Sequence, residues 1–242
     1  MKVVGIIGGM GPQATVDLFQ KIIDATPACE DQEHLKLIIY NDPTIPDRTR
    51  AILGMGISPL PKLLSAARGL IEIGAEILAI PCNTAHYFVP ALQRSLPVPF
   101  IHMLSEVARY IRQEYSNIDK VGLLATDGTI SAGVYKRALE ERGLSVVNPD
   151  SGNQKKVMDV IYGEGGVKAG VVASWQRDVF LEVIEGLRAQ GAGAVIAGCT
   201  ELSSLFDRYP CQASIPIVSS NDILAQAIVR EATASVFREE SG

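Results

Sequence analysis

A short apolar run that ends in a cysteine occurs twice in this chain of 242 residues. The first copy, residues 77–84, reads ILAIPCNT, and the second copy, residues 194–201, reads AVIAGCTE. Each apolar run is typical of a buried strand, and each cysteine comes where the strand gives way to a loop or helix. Functional groups of open α/β sheets usually lie at such strand ends. We therefore expect Cys82 and Cys199 to face each other across a cleft.

The two copies are part of a longer repeat with an offset of 117 residues. The same offset that relates Cys82 to Cys199 also joins four other pairs: Gly5 and Gly122, Gly74 and Gly191, Ala75 and Ala192, Pro99 and Pro216. The strands near residues 38–39 and 146–147 match only with an offset of 108, which indicates length changes inside the repeat. Apolar runs alternate with helical patterns throughout, and this alternation predicts parallel sheets.

The repeat predicts an α/β fold with two similar lobes. Each lobe should be a mostly parallel sheet flanked by helices, and pseudo-twofold symmetry should leave the active site between them. We assign residues 1–103 and 219–242 to the first lobe, with the C-terminal helix packing back, and residues 104–218 to the second. Strands are predicted at residues 3–7, 35–40, 77–80, 99–102, 120–124, 145–147, 195–197 and 215–218. Helices are predicted at residues 12–25, 62–73, 85–95, 104–115, 131–142, 155–162, 174–190 and, capped by Asn221, 221–238, while residues 41–50 read as a loop.

Composition argues against several classes of function. The net charge is −5 and the basic residues are dispersed, whereas a nucleic-acid surface needs clustered Lys and Arg. No apolar run approaches the length of a membrane span, and the N-terminal residues 1–8 are too short and glycine-broken for a signal peptide. The four cysteines, Cys29, Cys82, Cys199 and Cys211, show no CxxC spacing. We expect reduced thiols and a cytoplasmic protein.

Two equivalent thiols suit the exchange of protons with one carbon atom. A thiol has a reference pKa of about 8.5, and the N–H groups of a strand-to-helix turn lower it. A thiolate base on one face of a carbon and a thiol acid on the other face would invert that centre.

Other interpretations of the cysteines stay open. Both could be small buried apolar residues, which is the interpretation adopted for Cys29 and Cys211. A metal could bind Cys82, His86 and Cys199, although no further ligand is evident. Cys82 paired with His86 or His102 would suggest a hydrolase, but that pair leaves Cys199 unexplained.

The first glycine-rich loop allows two interpretations. Residues 5–11, GIIGGMG, follow a strand and open a helix, and Asp42 ends the second strand, where a ribose-binding acid would lie. The spacing is not that of the dinucleotide fingerprint. Successive glycine N–H groups could instead bind a carboxylate, and we prefer this interpretation.

Five motifs together resemble the aspartate racemases of the aspartate/glutamate racemase superfamily. They are residues 8–12 (GGMGP), 31–34 (DQEH), 45–49 (IPDRT), 81–86 (PCNTAH) and 197–201 (AGCTE), and the resemblance spans nearly the whole chain. Glutamate racemases carry Asp-Ser-Gly near the N-terminus and His after the second Cys-Thr. Here those positions hold Gly8-Gly9-Met10 and Glu201.

The resemblance implies a racemase of L- and D-aspartate that needs neither pyridoxal phosphate nor metal. It implies that Cys199 removes the α-proton of the L-enantiomer and that Cys82 removes that of the D-enantiomer. The substrate would be held by Met10 (through backbone N–H groups), Arg48, Thr49, Asn83, Thr84, Lys168, Thr200 and Glu201. The partner is a small acidic amino acid rather than nucleic acid or membrane, and similar enzymes are commonly homodimers.

Some roles and functions remain open at this point. Glu201 could orient a cysteine, bind the substrate ammonium or cap a following helix. Lys168 and Arg48 could be ordinary solvated charges in loops, and the glycine-rich segment around Lys168 could act as a lid. The function could also be a broader racemase that accepts glutamate, a non-catalytic two-lobed sensor of acidic ligands, or an NAD-dependent enzyme.

Overall fold

Two parallel sheets form the framework of the protein. A computed structural model describes residues 1–210 and 212–234. The first sheet contains β1 (Val4–Gly8), β2 (Leu37–Asn41) and β3 (Ile77–Ala79) in the order β2-β1-β3. The second contains β4 (Lys120–Leu124), β5 (Ser145–Val147), β6 (Ala194–Ala197) and β7 (Ile217–Ser219) in the order β5-β4-β6-β7. The predicted α/β fold with two lobes and parallel pairing is confirmed.

Helices cover both sheets. In the described residues they are α1 (Pro12–Ala25), α2 (Arg48–Ile52), α3 (Leu60–Glu72), α4 (Val89–Gln93), α5 (Met103–Glu114), α6 (Asp127–Ser131), α7 (Val134–Glu140), α8 (Ser151–Tyr162), α9 (Ser174–Ala189), α10 (Glu201–Arg208) and α11 (Ser220–Thr233). Short 3₁₀ turns span Asp31–Glu33, Thr84–Tyr87 and Val167–Ala169. No helix in the described ranges is long and apolar enough to cross a membrane.

The offset of 117 residues relates close contacts as well as sequence. A Cβ on Gly5 would lie 3.2 Å from the Cβ of Leu70 in α3, and one on Gly122 would lie 3.3 Å from the Cβ of Leu187 in α9. Each central strand therefore needs glycine where its covering helix passes closest. Gly5 pairs with Ile38 of the neighbouring strand β2, and Gly122 pairs with Val147 of β5. Ile38 and Val147 are 109 residues apart, so the offset that relates β2 to β5 is 109 rather than the predicted 108.

One predicted strand is reduced to a single bridge. Phe100 pairs with Leu78 only as an isolated parallel bridge, whereas its counterpart Ile217 belongs to β7 and pairs with Val195. The bridge consists of the N–H of Leu78 donating to Pro99 and the N–H of Ile101 donating to Leu78, and α5 begins at Met103 before the pairing lengthens. The N–H of Phe100 points to the opposite side, where it donates to the side chain of Gln93 at 2.9 Å. The prediction of a short strand at residues 99–102 is therefore wrong.

Helices α5 and α11 pack against each other between the two sheets. Helix α11 also packs on α1, and α5 packs on α7. His102 caps α5 by accepting from the N–H of Ser105 at 3.3 Å, and Ser219 caps α11 by accepting from the N–H of Asp222 at 3.2 Å. The two capping residues are 117 positions apart and are therefore counterparts in the repeat. The predicted cap Asn221 is wrong, since Asn221 lies inside α11 and donates to the carbonyl of Ala14. The lobe boundaries stay a prediction, and the predicted helix end at residue 238 lies outside the described residues.

Local breaks account for three further differences from the predicted elements. The predicted loop at residues 41–50 ends early because Asp47 caps α2, accepting from the N–H of Arg50 at 2.7 Å. The helix predicted at residues 131–142 is divided by Gly133, whose φ of 61° separates α6 from α7. Residues 84–93 form a 3₁₀ turn and α4 rather than one helix.

Candidate functional site

The carboxyl ends of β3 and β6 open into one cavity, which we call the thiol cavity. It has a volume of about 10 Å³, and both Cys82 and Cys199 line it while each is only 6% exposed. A cavity of this volume has room for about one water molecule, so the side chains that line it are closely packed. Its other lining residues are Met10, Arg48, Asn83, Thr84, Thr126, Tyr162, Lys168, Gly198, Thr200 and Glu201. Of the eight predicted substrate-binding residues, seven line the cavity and Thr49 does not.

Hydrogen bonds tie the two cysteine segments to each other. The hydroxyl of Thr200 donates to the carbonyl of Pro81 at 3.1 Å. Ser220 at the start of α11 donates to the carbonyl of Ala197 and accepts from Nδ2 of Asn83, both at 2.9 Å. The hydroxyl of Tyr135 donates to Oδ1 of Asn83 at 2.6 Å. The Asn83 amide is therefore largely engaged by the protein and retains one N–H for a ligand.

Arg48 is a buried cation in the first turn of α2. Its guanidinium donates to the carbonyls of Ile45, Pro46 and Met10 at 3.1–3.2 Å, while its Nε has no partner. Burial alone would lower the pKa of Arg48, but the negative charges that Cys82 and Asp47 can carry outweigh burial and raise it. A buried, partly unpartnered guanidinium beside a thiol suits an anionic ligand, and solvated surface charge is the wrong description of Arg48.

Cys199, Glu201 and Lys168 form a second charged group in the cavity. The Cys199 thiol donates to Oε2 of Glu201 at 2.9 Å, and Lys168 forms an ion pair with Oε1 of the same carboxylate. Burial alone would raise the pKa of Glu201, but Lys168 and the Cys199 hydrogen bond hold that pKa below its ordinary value. Burial also raises the pKa of Cys199, and the Glu201 charge raises it further. Lys168 is therefore a paired cation rather than a solvated one.

The glycine-rich loop after β1 binds a carboxylate that belongs to the protein. The N–H of Gly11 donates to Oε1 of Glu201 at 3.1 Å, whereas that of Gly9 donates to Thr15. A Cβ on Gly9 would come within 2.4 Å of the Asp42 backbone, and the φ of 94° at Gly9 also requires glycine. The side chain of Asp42 accepts from Thr44 and does not line the cavity. This geometry favours the anion interpretation of the loop.

Four threonine hydroxyls meet where the lobes approach each other. Thr84 bonds to Thr126 at 3.1 Å and to Thr129 at 2.8 Å, and Thr49 bonds to Thr126 at 3.2 Å. Thr49 therefore supports Thr126, a cavity residue that the sequence analysis missed. The offset of 117 places Thr126 opposite Gly9, a relationship that could have drawn attention to it.

Tyr162 is the second cavity residue that the sequence analysis missed. Its hydroxyl donates to Asp47 at 3.0 Å, and the ammonium of Lys168 lies 5.7 Å from its ring centroid. Tyr162 ends α8 and immediately precedes the glycine-rich segment that carries Lys168. The position of this tyrosine beside that segment was the available sequence signal.

His86 has no ring nitrogen free for a metal or for the Cys82 thiol. Its Nδ1 bonds the carbonyl oxygen of Cys82 at 2.9 Å, and its Nε2 accepts from the N–H of Met103 at 3.1 Å. Burial holds the pKa of His86 at about 3, so the ring is neutral. Neither the metal site nor the Cys–His pair is therefore supported at His86, and residues 1–210 and 212–234 contain no group of three His, Cys, Asp or Glu placed to hold a metal.

Cys29 does not line the thiol cavity. Cys29 is exposed, so its interpretation as a buried apolar residue is wrong. Cys211 lies outside the described residues.

The fold and cavity define a two-lobed α/β protein in which a thiol from each lobe lines one cavity. The chain belongs to the Asp/Glu/hydantoin racemase family, whose profile matches residues 7–228. It is similar to the aspartate racemase of Picrophilus torridus, with 32% identity, a TM-score of 0.80, and coverage of 96% of this chain and 94% of that chain.

Two further relatives support an amino-acid racemase. A structure described as a putative Asp/Glu racemase from Yersinia pestis has 29% identity and a TM-score of 0.77, covering 96% of this chain and 99% of that chain. The broad-specificity amino-acid racemase RacX of Bacillus subtilis is 28% identical over 93% of this chain and 96% of its own length. The chain therefore has the fold and the relatives of an amino-acid racemase.

Proposed function

We propose that this protein interconverts L- and D-aspartate without a cofactor, using Cys82 and Cys199 as the two acid–base groups. The observation that carries the proposal is the thiol cavity itself. Two buried thiols from equivalent strand ends line it together with Arg48, whose Nε has no partner. One thiolate would remove the α-hydrogen, and the other thiol would donate its proton to the opposite face of the same carbon.

Arg48 is the proposed anchor of the side-chain carboxylate. Its unpartnered Nε offers a charge-assisted hydrogen bond, and a buried guanidinium favours a side-chain carboxylate over a neutral side chain. The remaining amide hydrogen of Asn83 and the hydroxyl of Thr84 are the proposed donors to the α-carboxylate, whereas the single hydroxyl hydrogen of Thr200 is taken by the Pro81 carbonyl. Donors fixed in advance would stabilise the charge that develops there when the Cα–H bond breaks.

A broader amino-acid range is the second candidate function. It is favoured by the similarity to RacX and by the ion pair between Lys168 and Glu201, which engages one of the two cations expected to bind a dicarboxylate. Turnover of L-aspartate, L-glutamate and a neutral amino acid at equal concentrations separates the two proposals. The aspartate proposal requires kcat/KM for aspartate to exceed the other values at least about tenfold, or 1.4 kcal/mol.

The test of the proposed function is α-hydrogen exchange in heavy water with cofactor-free protein. The wild-type protein should remove the optical rotation of either enantiomer of aspartate while incorporating deuterium at the α-carbon. Cys82→Ala and Cys199→Ala should each abolish racemisation, and Cys29→Ala, at an exposed thiol, should have no effect. Full racemisation by either of the first two variants contradicts the two-base mechanism.

We also propose that the protein acts as a homodimer. The edge strand β2 supports this, because its outer hydrogen-bonding side is unpaired within the described sheet and Ile39 and Tyr40 are exposed. Sedimentation equilibrium should give twice the chain mass of 25.9 kDa. A single-chain mass across micromolar concentrations contradicts the proposal.

A further inference from the structure

The two thiols of the cavity have unlike electrostatic surroundings. The Cys199 thiol donates to a carboxylate oxygen of Glu201 at 2.9 Å, so its hydrogen has a fixed acceptor. Cys82 instead lies beside Arg48, a cation, and the described part of the chain gives it no carboxylate partner. A carboxylate stabilises the protonated form of a neighbouring thiol, whereas a guanidinium stabilises the thiolate.

The Glu201 carboxylate is held in place by the rest of the cavity. Its Oε1 accepts from the N–H of Gly11 at 3.1 Å and pairs with the ammonium of Lys168. Lys168 also donates to the carbonyl of Met10 at 3.3 Å. The carboxylate is only 4% exposed and lies in the first turn of α10, where a negative charge is favoured. These contacts keep Glu201 ionised and aimed at Cys199.

We propose that Glu201 is a positioning residue that keeps the Cys199 sulfur protonated in the ligand-free protein, so that Cys82 is the base that starts the cycle. The inference rests on the proposed function and assigns a starting state to its two bases. The cycle would begin when the Cys82 thiolate takes the α-hydrogen as a proton. The Cys199 S–H bond would then break, and its proton would join the opposite face of the α-carbon. Cys199 would end as the thiolate beside Glu201, a state that Lys168 offsets.

The groups that face Cys199 from each packed element support this assignment. Glu201 on α10 raises the pKa of Cys199, and the Lys168 ammonium lowers it, with burial the largest cause of the net rise. The negative charge that Cys82 can carry across the cavity raises it further. Tyr162, at the end of α8, has its own pKa raised by burial and is a neutral neighbour at pH 7.

Alkylation by iodoacetamide tests the proposal without substrate. The thiolate sulfur displaces iodide, so the rate at each cysteine follows its thiolate fraction. Cys82 and Cys199 line one cavity and are each 6% exposed, so reagent access is shared and the ratio of their rates reports ionisation. Peptide mass spectrometry of the full chain at pH 7.5 should show Cys82 modified at least about tenfold faster than Cys199, which corresponds to a tenfold higher thiolate fraction.

Two variants separate charge from packing. Glu201→Gln keeps the side-chain shape but removes the charge, so the Cys82-to-Cys199 rate ratio should fall at least about fivefold. Glu201→Asp keeps a carboxylate and should stay within about twofold of the wild-type ratio. Glu185→Gln on the exposed face of α9 is the matched control and should leave the ratio unchanged.

The outcomes that overturn the proposal are distinct from failure of the proposed function. A Cys82-to-Cys199 rate ratio of one or less in the wild-type protein contradicts the proposal. This measurement needs no variant, so it holds even if the substituted proteins fail to fold. An unchanged ratio in Glu201→Gln, or equal losses in Glu201→Gln and Glu201→Asp, also contradicts it. Racemisation is measured separately, so a correct ratio in a protein that racemises nothing would reject the proposed function alone.

Discussion

The hydroxyl of Thr200 donates a hydrogen bond of 3.1 Å to the carbonyl oxygen of Pro81. Thr200 follows Cys199 and Pro81 precedes Cys82, so this hydrogen bond joins the two cysteine segments across 119 positions of sequence. This contact fixes the relative position of the two thiols more directly than any contact within either lobe.

Removal of that hydroxyl should loosen the thiol cavity. Thr200→Val keeps the side-chain shape but leaves the Pro81 carbonyl without its donor, at a cost of about 1–3 kcal/mol in the free energy of unfolding. We expect kcat for aspartate to fall by at least about tenfold, because small displacements of reacting groups are costly. Thr200→Ser retains the hydroxyl and should recover most of both values, and equal losses in the two variants would show that the hydrogen bond is not the cause.

Replacement of Arg48 by lysine should weaken substrate binding. A lysine cannot reproduce the fork that donates to three carbonyls while leaving Nε free for a ligand. We expect KM for aspartate to rise about ten- to a hundredfold, the value of one or two charged hydrogen bonds. Steady-state kinetics measures this, with Arg50→Lys, an exposed residue of the same helix, as the control. An unchanged KM in Arg48→Lys contradicts the assigned role.

Gly128 should not tolerate a side chain. A Cβ there would lie 2.7 Å from Cα of Thr49, where α6 meets α2. We expect Gly128→Ala to lower the free energy of unfolding by about 1–3 kcal/mol, as overpacking does. Gly69→Ala in α3 is the control, because no atom lies within 4 Å of its added Cβ. The higher helix propensity of alanine should raise the free energy of unfolding of Gly69→Ala by about 0.5–1 kcal/mol, as measured by urea denaturation. A change in the same direction for both variants would contradict the prediction.

His86 should make the protein less stable in mild acid. Burial holds the pKa of His86 at about 3 in the folded chain, below its ordinary value of 6.5. The unfolded chain therefore binds one more proton between these values. The contribution of neutral His86 to the free energy of unfolding is complete above pH 6.5. Below that pH it falls by up to roughly 1.4 kcal/mol per pH unit.

The measurement for His86 is urea denaturation at pH 7, 6 and 5. His86→Asn has no group that takes up this proton on unfolding. The slope of its free energy of unfolding against pH should therefore be smaller than that of the wild type by the equivalent of about one proton. The same substitution at His34, which lies outside the protein core, controls for the loss of a histidine. Equal slopes in wild type and His86→Asn contradict the assignment of this titration.

The sequence predicts the framework well because the framework depends on local patterns. The helix at Pro12–Ala25 and the strands at Lys120–Leu124 and Ser145–Val147 have the predicted bounds, since proline, glycine and apolar runs mark their ends. The pairing of the two cysteines also follows from a local pattern repeated at one offset. The strand near Phe100 is limited to a single bridge because α5 begins at Met103, two residues after the last ladder bond at Ile101.

The parts of the site that depend on distant partners were not predictable. Thr126 and Tyr162 enter the cavity through contacts with Thr49 that cross 77 and 113 residues. Glu201 had three possible roles in the sequence, and its partner Lys168 lies 33 residues away in a 3₁₀ turn that no periodic pattern marks. Such positions are decided by tertiary packing rather than by local spacing.

The unlike neighbours of Cys82 and Cys199 have a thermodynamic consequence. Mirror-image amino acids have equal free energies, so any racemase must have equal kcat/KM for the two directions of its reaction. A carboxylate beside one thiol and a guanidinium beside the other cannot favour one product at equilibrium. They can change kcat and KM for the two enantiomers only in the same proportion, because the ratio kcat/KM is common to both. The enantiomer with the lower KM would therefore have the proportionally lower kcat.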